Sequence, residues 1–232
     1  MNTSTTSLKL MAAFRDTTVA SQWVYRRLLK AMSEPATRLS LAPAVDQQSL
    51  YSSDECHKVS ISAPIFKTTW SVSQSLFDSD CSVYLSPPLA QPSLVQSLRF
   101  YTDAHIVDDP STAQFALLNL SEWNYETIFS RGSLTAPHES CTLIIQVDAI
   151  SVNEEAVGNG ALVLSGPGIE TEKKLLIHGL TEQHRSMLID NTRHYPCGMD
   201  FIFCDAEYIV ALPRSTKINN VSTLSSHPKE VA

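Results

Sequence analysis

Phe201-Ile202-Phe203-Cys204-Asp205-Ala206-Glu207-Tyr208-Ile209-Val210-Ala211-Leu212 sets two apolar runs on either side of three turn-forming residues. That spacing predicts an antiparallel hairpin. Upstream, strand candidates alternate with helical patterns. The strands are Cys81 to Ser86, Gln114 to Asn119, Cys141 to Ile150, Ala161 to Ser165, Lys174 to His178, Met199 to Cys204 and Tyr208 to Pro213. The loop ending Gly158-Asn159-Gly160 predicts a further hairpin between Cys141–Ile150 and Ala161–Ser165. Alternation followed by hairpins predicts an α/β fold with one mixed β-sheet flanked by helices, not a purely parallel doubly wound sheet.

Five helices are expected. In the first, Asp16, Thr17 and Thr18 offer N-cap oxygens, Ala20, Val24, Leu28 and Ala31 recur at helical spacing, and Pro35 ends the run. Trp23, Tyr25, Leu29 and Met32 widen its apolar surface, which predicts burial on more than one side. The second uses Ile65, Thr69, Val72 and Leu76; the third starts at Pro92 and carries Leu94, Val95, Leu98 and Tyr101. A short fourth is expected from Ser121 to Gly132, and a fifth from a Thr181 cap to Asn191. Residues 1–14 and 217–232 read as flexible tails around a single domain at 15–216.

With 43% hydrophobic residues among 232, the chain has material for a sizeable core. The net charge of −7 carries no electrostatic footprint for nucleic acid or an anionic membrane. No apolar run is long enough to span a bilayer, no signal-peptide core opens the chain, and five irregularly spaced cysteines argue for reduced thiols. A cytoplasmic location is the expectation.

The recognised chemical motifs are absent. No Gly-Lys pair makes a P-loop, no Gly-x-Ser-x-Gly a nucleophile elbow, and no Cys-x-x-Cys or His-Glu-x-x-His a metal site. Gly166-Pro167-Gly168 reads as a turn before it reads as a phosphate nest. His194, Cys197 and Cys204 assemble a zinc set on paper only, and small core thiols are the commoner role. Cys56 and His57 are adjacent and do not face each other. Four arginines stand out: Arg26 and Arg27 in the first helix, Arg99 in the third, and Arg214 after the last strand. Guanidinium groups within a fold need carboxylate or phosphate partners. They are candidates for anion or subunit contacts, and internal salt bridges are the plainer alternative.

Six segments, in order, resemble the PhnH family, the H subunits of the bacterial carbon–phosphorus lyase core complex. They are Tyr25-Arg26-Arg27-Leu28-Leu29-Lys30-Ala31-Met32-Ser33-Glu34-Pro35; Gln96-Ser97-Leu98-Arg99-Phe100-Tyr101-Thr102-Asp103-Ala104; Gly132 with Ala136-Pro137 and the strand from Thr142; Leu164-Ser165-Gly166-Pro167-Gly168-Ile169; Tyr195-Pro196-Cys197-Gly198-Met199-Asp200; and Ala211-Leu212-Pro213-Arg214-Ser215-Thr216. Ala36 stands where the family has glycine, which argues against a left-handed turn there. Tyr25 replaces a phenylalanine, and His138 stands where glutamate is common.

The resemblance implies a core like that of fold-type I pyridoxal-phosphate transferases without the cofactor. The only lysines that suit a Schiff base, Lys173 and Lys174, lie in a charged stretch that reads as solvated. It also implies a homodimer in isolation and assembly with the G, I and J subunits. The complex displaces adenine from ATP with a phosphonate, giving a ribose 1-phosphonate 5-triphosphate. This chain is then expected to be an accessory subunit, not catalytic by itself. The alternative is a protein acting alone on a phosphorylated ligand through its arginines.

Overall fold

The computed structural model describes residues 10–11, 13–14, 16–41, 65–158 and 160–220. Cys56 and His57 lie outside them. Among the described residues four α-helices are present: α1 (Thr17–Ser33), α2 (Lys67–Leu76), α3 (Pro92–Thr102) and α4 (Glu182–Thr192). The strands are β1 (Leu39–Ser40), β2 (Ser82–Leu85), β3 (His105–Val107), β4 (Phe115–Asn119), β5 (Thr142–Gln146), β6 (Ile150–Val152), β7 (Leu162–Ser165), β8 (Lys173–Ile177), β9 (Asp200–Cys204), β10 (Tyr208–Leu212) and β11 (Lys217–Asn220).

A seven-stranded sheet runs β1-β10-β9-β5-β4-β2-β3. Its centre, from β9 to β3, is parallel, while β10 pairs antiparallel with both β9 and β1. The mixed sheet is as expected, and so is the final hairpin, with Ile209 opposite Cys204 and Leu212 opposite Phe201. Asp205 makes that turn: its carboxylate accepts from the amides of Glu207 and Tyr208 at 2.9 and 2.7 Å, and from Ile150 at 3.1 Å. Successive side chains of a strand face opposite sides. Thus Leu117, Ile144, Ile202 and Ala211 pack under α1, α2 and α3. Ala116, Leu118, Leu143, Ile145, Phe201 and Phe203 face the other way.

On that other side lies a second sheet, β11-β7-β8-β6, antiparallel throughout, with α4 beside it. The expected single sheet is therefore two. The predicted hairpin between Cys141–Ile150 and Ala161–Ser165 does not form. The chain leaves the large sheet after Gln146, and Ile150–Val152 pairs with Leu175–Ile177 instead. A predominantly apolar run concealed the break, since each half is buried in its own layer. Arg38 joins the layers: it donates to the Ile150 carbonyl at 2.9 Å, pairs with Glu155 at 2.9 Å, and lies 4.5 Å from the centre of the Tyr208 ring.

The first helix is capped by the Asp16 carboxylate, which accepts from the Val19 amide at 3.0 Å, and it buries Ala20, Val24, Leu28 and Ala31 as its spacing predicts. Its second apolar flank is not covered within the described residues. Tyr25 is 46% and Leu29 52% exposed, which corrects the expectation of burial on several sides. The fourth expected helix is absent. After a 3-10 turn at Leu120–Glu122, Trp123 drops into the core and the Asn124 side-chain Oδ1 accepts from the amides of Glu126 and Thr127. A side chain that takes backbone donors in this way competes with helix formation.

Both tails are shorter than the sequence suggests. Met11 and Phe14 are buried, with their amides bonded to Ser97 and Gln74, so this stretch lies against α3 and α2. At the other end Lys217–Asn220 pairs with β7. Neither segment has an apolar run long enough to read as an element; tertiary pairing recruits both.

Candidate functional site

Three of the segments that carry the resemblance, those at Ala136-Pro137, Tyr195–Asp200 and Ala211–Thr216, meet at Arg214. Its guanidinium forks onto both oxygens of Asp200, at the start of β9, and donates to the Pro137 carbonyl before β5. Its own amide donates to the same carboxylate at 2.7 Å. Nearby, the Gly198 amide donates to the Arg131 carbonyl at 2.8 Å, and the Asn191 side chain bonds both the amide and the carbonyl of Met199. Arg214 is thus held by an internal salt bridge, and bidentate pairing leaves its fork committed.

Gly166-Pro167-Gly168 is the turn between β7 and β8, and it packs on protein. A Cβ on Gly168 would lie 2.0 Å from the Ser33 carbonyl oxygen, and Gly168 takes φ +78°. Contrary to expectation, Ala36 does adopt the left-handed turn, at φ 57°. Lys173 is not solvated either: it is half-buried and donates to the Pro35 carbonyl and Thr37 Oγ1 at 3.2 and 2.9 Å. Lys174 is exposed.

The other candidate arginines stand apart from Arg214. Arg26 and Arg99 are exposed with no ion-pair partner among the described residues, and Arg27 lies over Trp23 at 5.0 Å. The expected placement of Arg26 inside the fold is corrected, while Arg27 is half-buried. His194 pairs with Asp190 and Arg131 instead of Cys197 or Cys204, and among the described residues no three His, Cys, Asp or Glu side chains form a metal-ligand group. Burial pushes the Cys204 thiol up to about 12 and raises Cys141 further, so neither offers a thiolate at neutral pH.

A cavity of about 580 Å³ opens at the carboxyl ends of β4 and β5. Ligands of open α/β sheets bind in the crevice outside these ends. One wall is a Trp123–His184 pair, rings parallel within 7° and 5.3 Å apart. Both His184 nitrogens are committed: Nδ1 accepts from the Thr181 amide at 3.2 Å and Nε2 donates to the Trp123 carbonyl at 2.9 Å. Burial lowers its pKa, so the ring is a neutral capping-box partner and not a free base. Gln146 accepts from the Phe66 amide at 2.6 Å and donates to Asn119 Oδ1 at 2.7 Å. Asp148 is exposed at the mouth. Among the described residues, no lysine or arginine lines the space.

Sequence reading passed over Asn119, Gln146 and Asp148. The available signal was polar residues at the carboxyl ends of predicted strands, and Asp148 was hidden inside the run read as one long strand.

The comparisons with known proteins agree on phosphonate metabolism. Over 210 residues the chain is 27% identical to the alpha-D-ribose 1-methylphosphonate 5-triphosphate synthase subunit PhnH of Rhizobium meliloti (strain 1021), covering 89% of this chain and 94% of that one. Over 89 residues it is 32% identical to the putative C-P lyase subunit protein HtxG of Stutzerimonas stutzeri, covering 38% of this chain and 42% of that one. Residues 12–219 match the family described as bacterial phosphonate metabolism protein (PhnH), nearly the whole described structure, and the chain belongs to that family.

Proposed function

We propose that this chain is an accessory subunit of a carbon–phosphorus lyase core complex, the assembly that makes a ribose 1-phosphonate 5-triphosphate from a phosphonate and ATP. The observation that carries the reading is the family match over residues 12–219, alongside a relative covered over 94% of its length. The site chemistry supports the accessory role. His184 and Arg214 are engaged internally, and Cys141 and Cys204 are poor nucleophiles. That favours an organising subunit over an independent enzyme acting through clustered arginines, since the four arginines do not gather.

The partners on this reading are a second copy and the G, I and J subunits, in the cytoplasm. Exposed Tyr25, Leu29 and Phe100, on α1 and α3, support contacts with other chains. No described helix is long and apolar enough to cross a membrane. Five parallel strands with a cavity at their carboxyl ends support kinship with the pyridoxal-phosphate transferase core, on this reading without the cofactor.

The test is growth with methylphosphonate as sole phosphorus source in a strain deleted for this gene. Growth should fail, return with the gene supplied in trans, and be normal on phosphate. Undiminished growth of the deletion strain would refute the reading.

A further inference from the structure

The cavity beside α4 is unlike the anion sites that the family's chemistry brings to mind. Among the described residues, its titratable lining groups are Asp148 and His184. His184 is held neutral between Thr181 and Trp123, so the net charge of the lining is negative. The amino end of α4 also faces this space through Thr181 and Gln183, and a helix N-terminus favours negative charge. Asp148 already supplies that charge, and Thr181 Oγ1 takes the His184 amide at 3.3 Å. A phosphate would meet a carboxylate with no guanidinium or ammonium among the described lining residues to offset it.

What the lining offers is hydrogen bonding. Asn119 uses Oδ1 to accept from Gln146, and its Nδ2 has no partner among the described residues. Gln183 and the Asp148 carboxylate likewise have no hydrogen-bond partner among the described residues, and both are exposed. Gln146 fixes the amide orientation: it accepts from the Phe66 N–H, so its nitrogen must face Asn119 Oδ1, which leaves Asn119 Nδ2 as the outward donor. A donor from Asn119 and an acceptor from Asp148, set in a space of about 580 Å³, match a small-molecule site in size and in kind.

We infer that this cavity binds an uncharged, hydroxyl- or amide-bearing molecule of nucleoside size, with Asn119 donating to it and Asp148 accepting from it. The ligand gives an acceptor to Asn119 and one or more O–H or N–H donors to Asp148. A sugar diol and a nucleobase edge share this chemistry. Phosphorylated forms are disfavoured by Asp148, so the site discriminates by charge as well as by shape. This goes beyond the accessory-subunit reading and does not depend on it, because it concerns the isolated chain.

Calorimetry on the purified full-length protein tests it, with adenosine, ribose and ATP as probes. Adenosine should bind, ATP should bind at least 10-fold more weakly or not at all, and a ribose signal would place part of the contact on the sugar. Asp148→Ala and Asn119→Ala should each weaken adenosine at least 10-fold. Because Asp148 is exposed, its variant should keep the wild-type unfolding midpoint, so lost binding cannot be laid to lost folding. Asp148→Asn, which keeps one acceptor, should recover part of the affinity and narrow the gap between adenosine and ATP. Absence of adenosine binding up to its solubility limit overturns the inference. So does ATP binding as tightly as adenosine, or an Asp148→Ala variant with unchanged affinity. Failure here leaves the growth phenotype on methylphosphonate untouched, so the two readings fail separately.

Discussion

Lys173 Nζ lies 3.2 Å from the carbonyl oxygen of Pro35, which places a lysine of β8 on the turn that closes α1. Carbonyls at a helix C-terminus lack helical partners and carry partial negative charge, so a cation there satisfies both needs. The same ammonium reaches Thr37 Oγ1 at 2.9 Å. Lys173→Met should therefore lower stability by about 1.5 kcal/mol, measured by urea unfolding, whereas Lys174→Met on the exposed face should change it little.

The β7–β8 turn meets the same helix end. Gly168→Ala would drive a Cβ into the Ser33 carbonyl and should cost about 3 kcal/mol or prevent folding. Ala36, at φ 57° and buried, tests the other side of this contact. Ala36→Val should cost at least about 2 kcal/mol, because a β-branched residue is disfavoured in the left-handed region. Thermal melts of both variants check these values.

At the pair Arg214–Asp200 the two side chains are only 18% and 14% exposed. Arg214→Met leaves a carboxylate with one neutral amide donor and should cost about 3 kcal/mol. In Arg214→Met/Asp200→Leu no charge is stranded, so the loss should fall well short of the sum of the single changes. A double-mutant cycle by chemical denaturation reads this coupling directly.

His184 gives the fold a pH dependence of known sign. Its folded-state pKa is depressed by burial below the usual 6.5. Below 6.5 the unfolded chain takes up a proton that the folded chain refuses, so the contribution is full above that pH. It is lost as pH falls toward the folded value, at a slope of up to about 1.4 kcal/mol per unit. Comparing denaturation midpoints of the wild type and His184→Gln between pH 7.5 and 5 should show a flatter profile in the variant.

Thiol accessibility separates the cysteines. Native protein treated briefly with iodoacetamide at pH 7.5 should carry label on half-buried Cys197 before Cys141 or Cys204, both buried with raised pKa values. Peptide mass spectrometry gives the order, and early label on Cys204 would contradict its place in the core.

Local signals in the chain were sufficient for several elements. The Asp16 cap and the Ala20-Val24-Leu28-Ala31 spacing defined α1, Thr181 defined the start of α4, and the runs around Asp205 defined the last hairpin. In each, the residues that set the structure are near neighbours, so propensity and periodicity are enough. The six family segments could be recognised for a related reason, since short patterns in fixed order survive in a linear text.

The hairpin Phe201–Leu212 thus came from sequence alone, and with it the mixed character of the large sheet. Tertiary structure decided the rest. It set the split of Cys141–Ile150 between two sheets, the recruitment of Lys217–Asn220, and the exposure of Tyr25 and Leu29. It also showed that Arg214 serves Asp200, and it gathered Asn119, Gln146 and Asp148 around one cavity. These outcomes depend on partners tens of residues away, such as the 112 positions between Arg38 and Ile150. Hydrophobicity tells a side chain to be buried; it does not say against which layer.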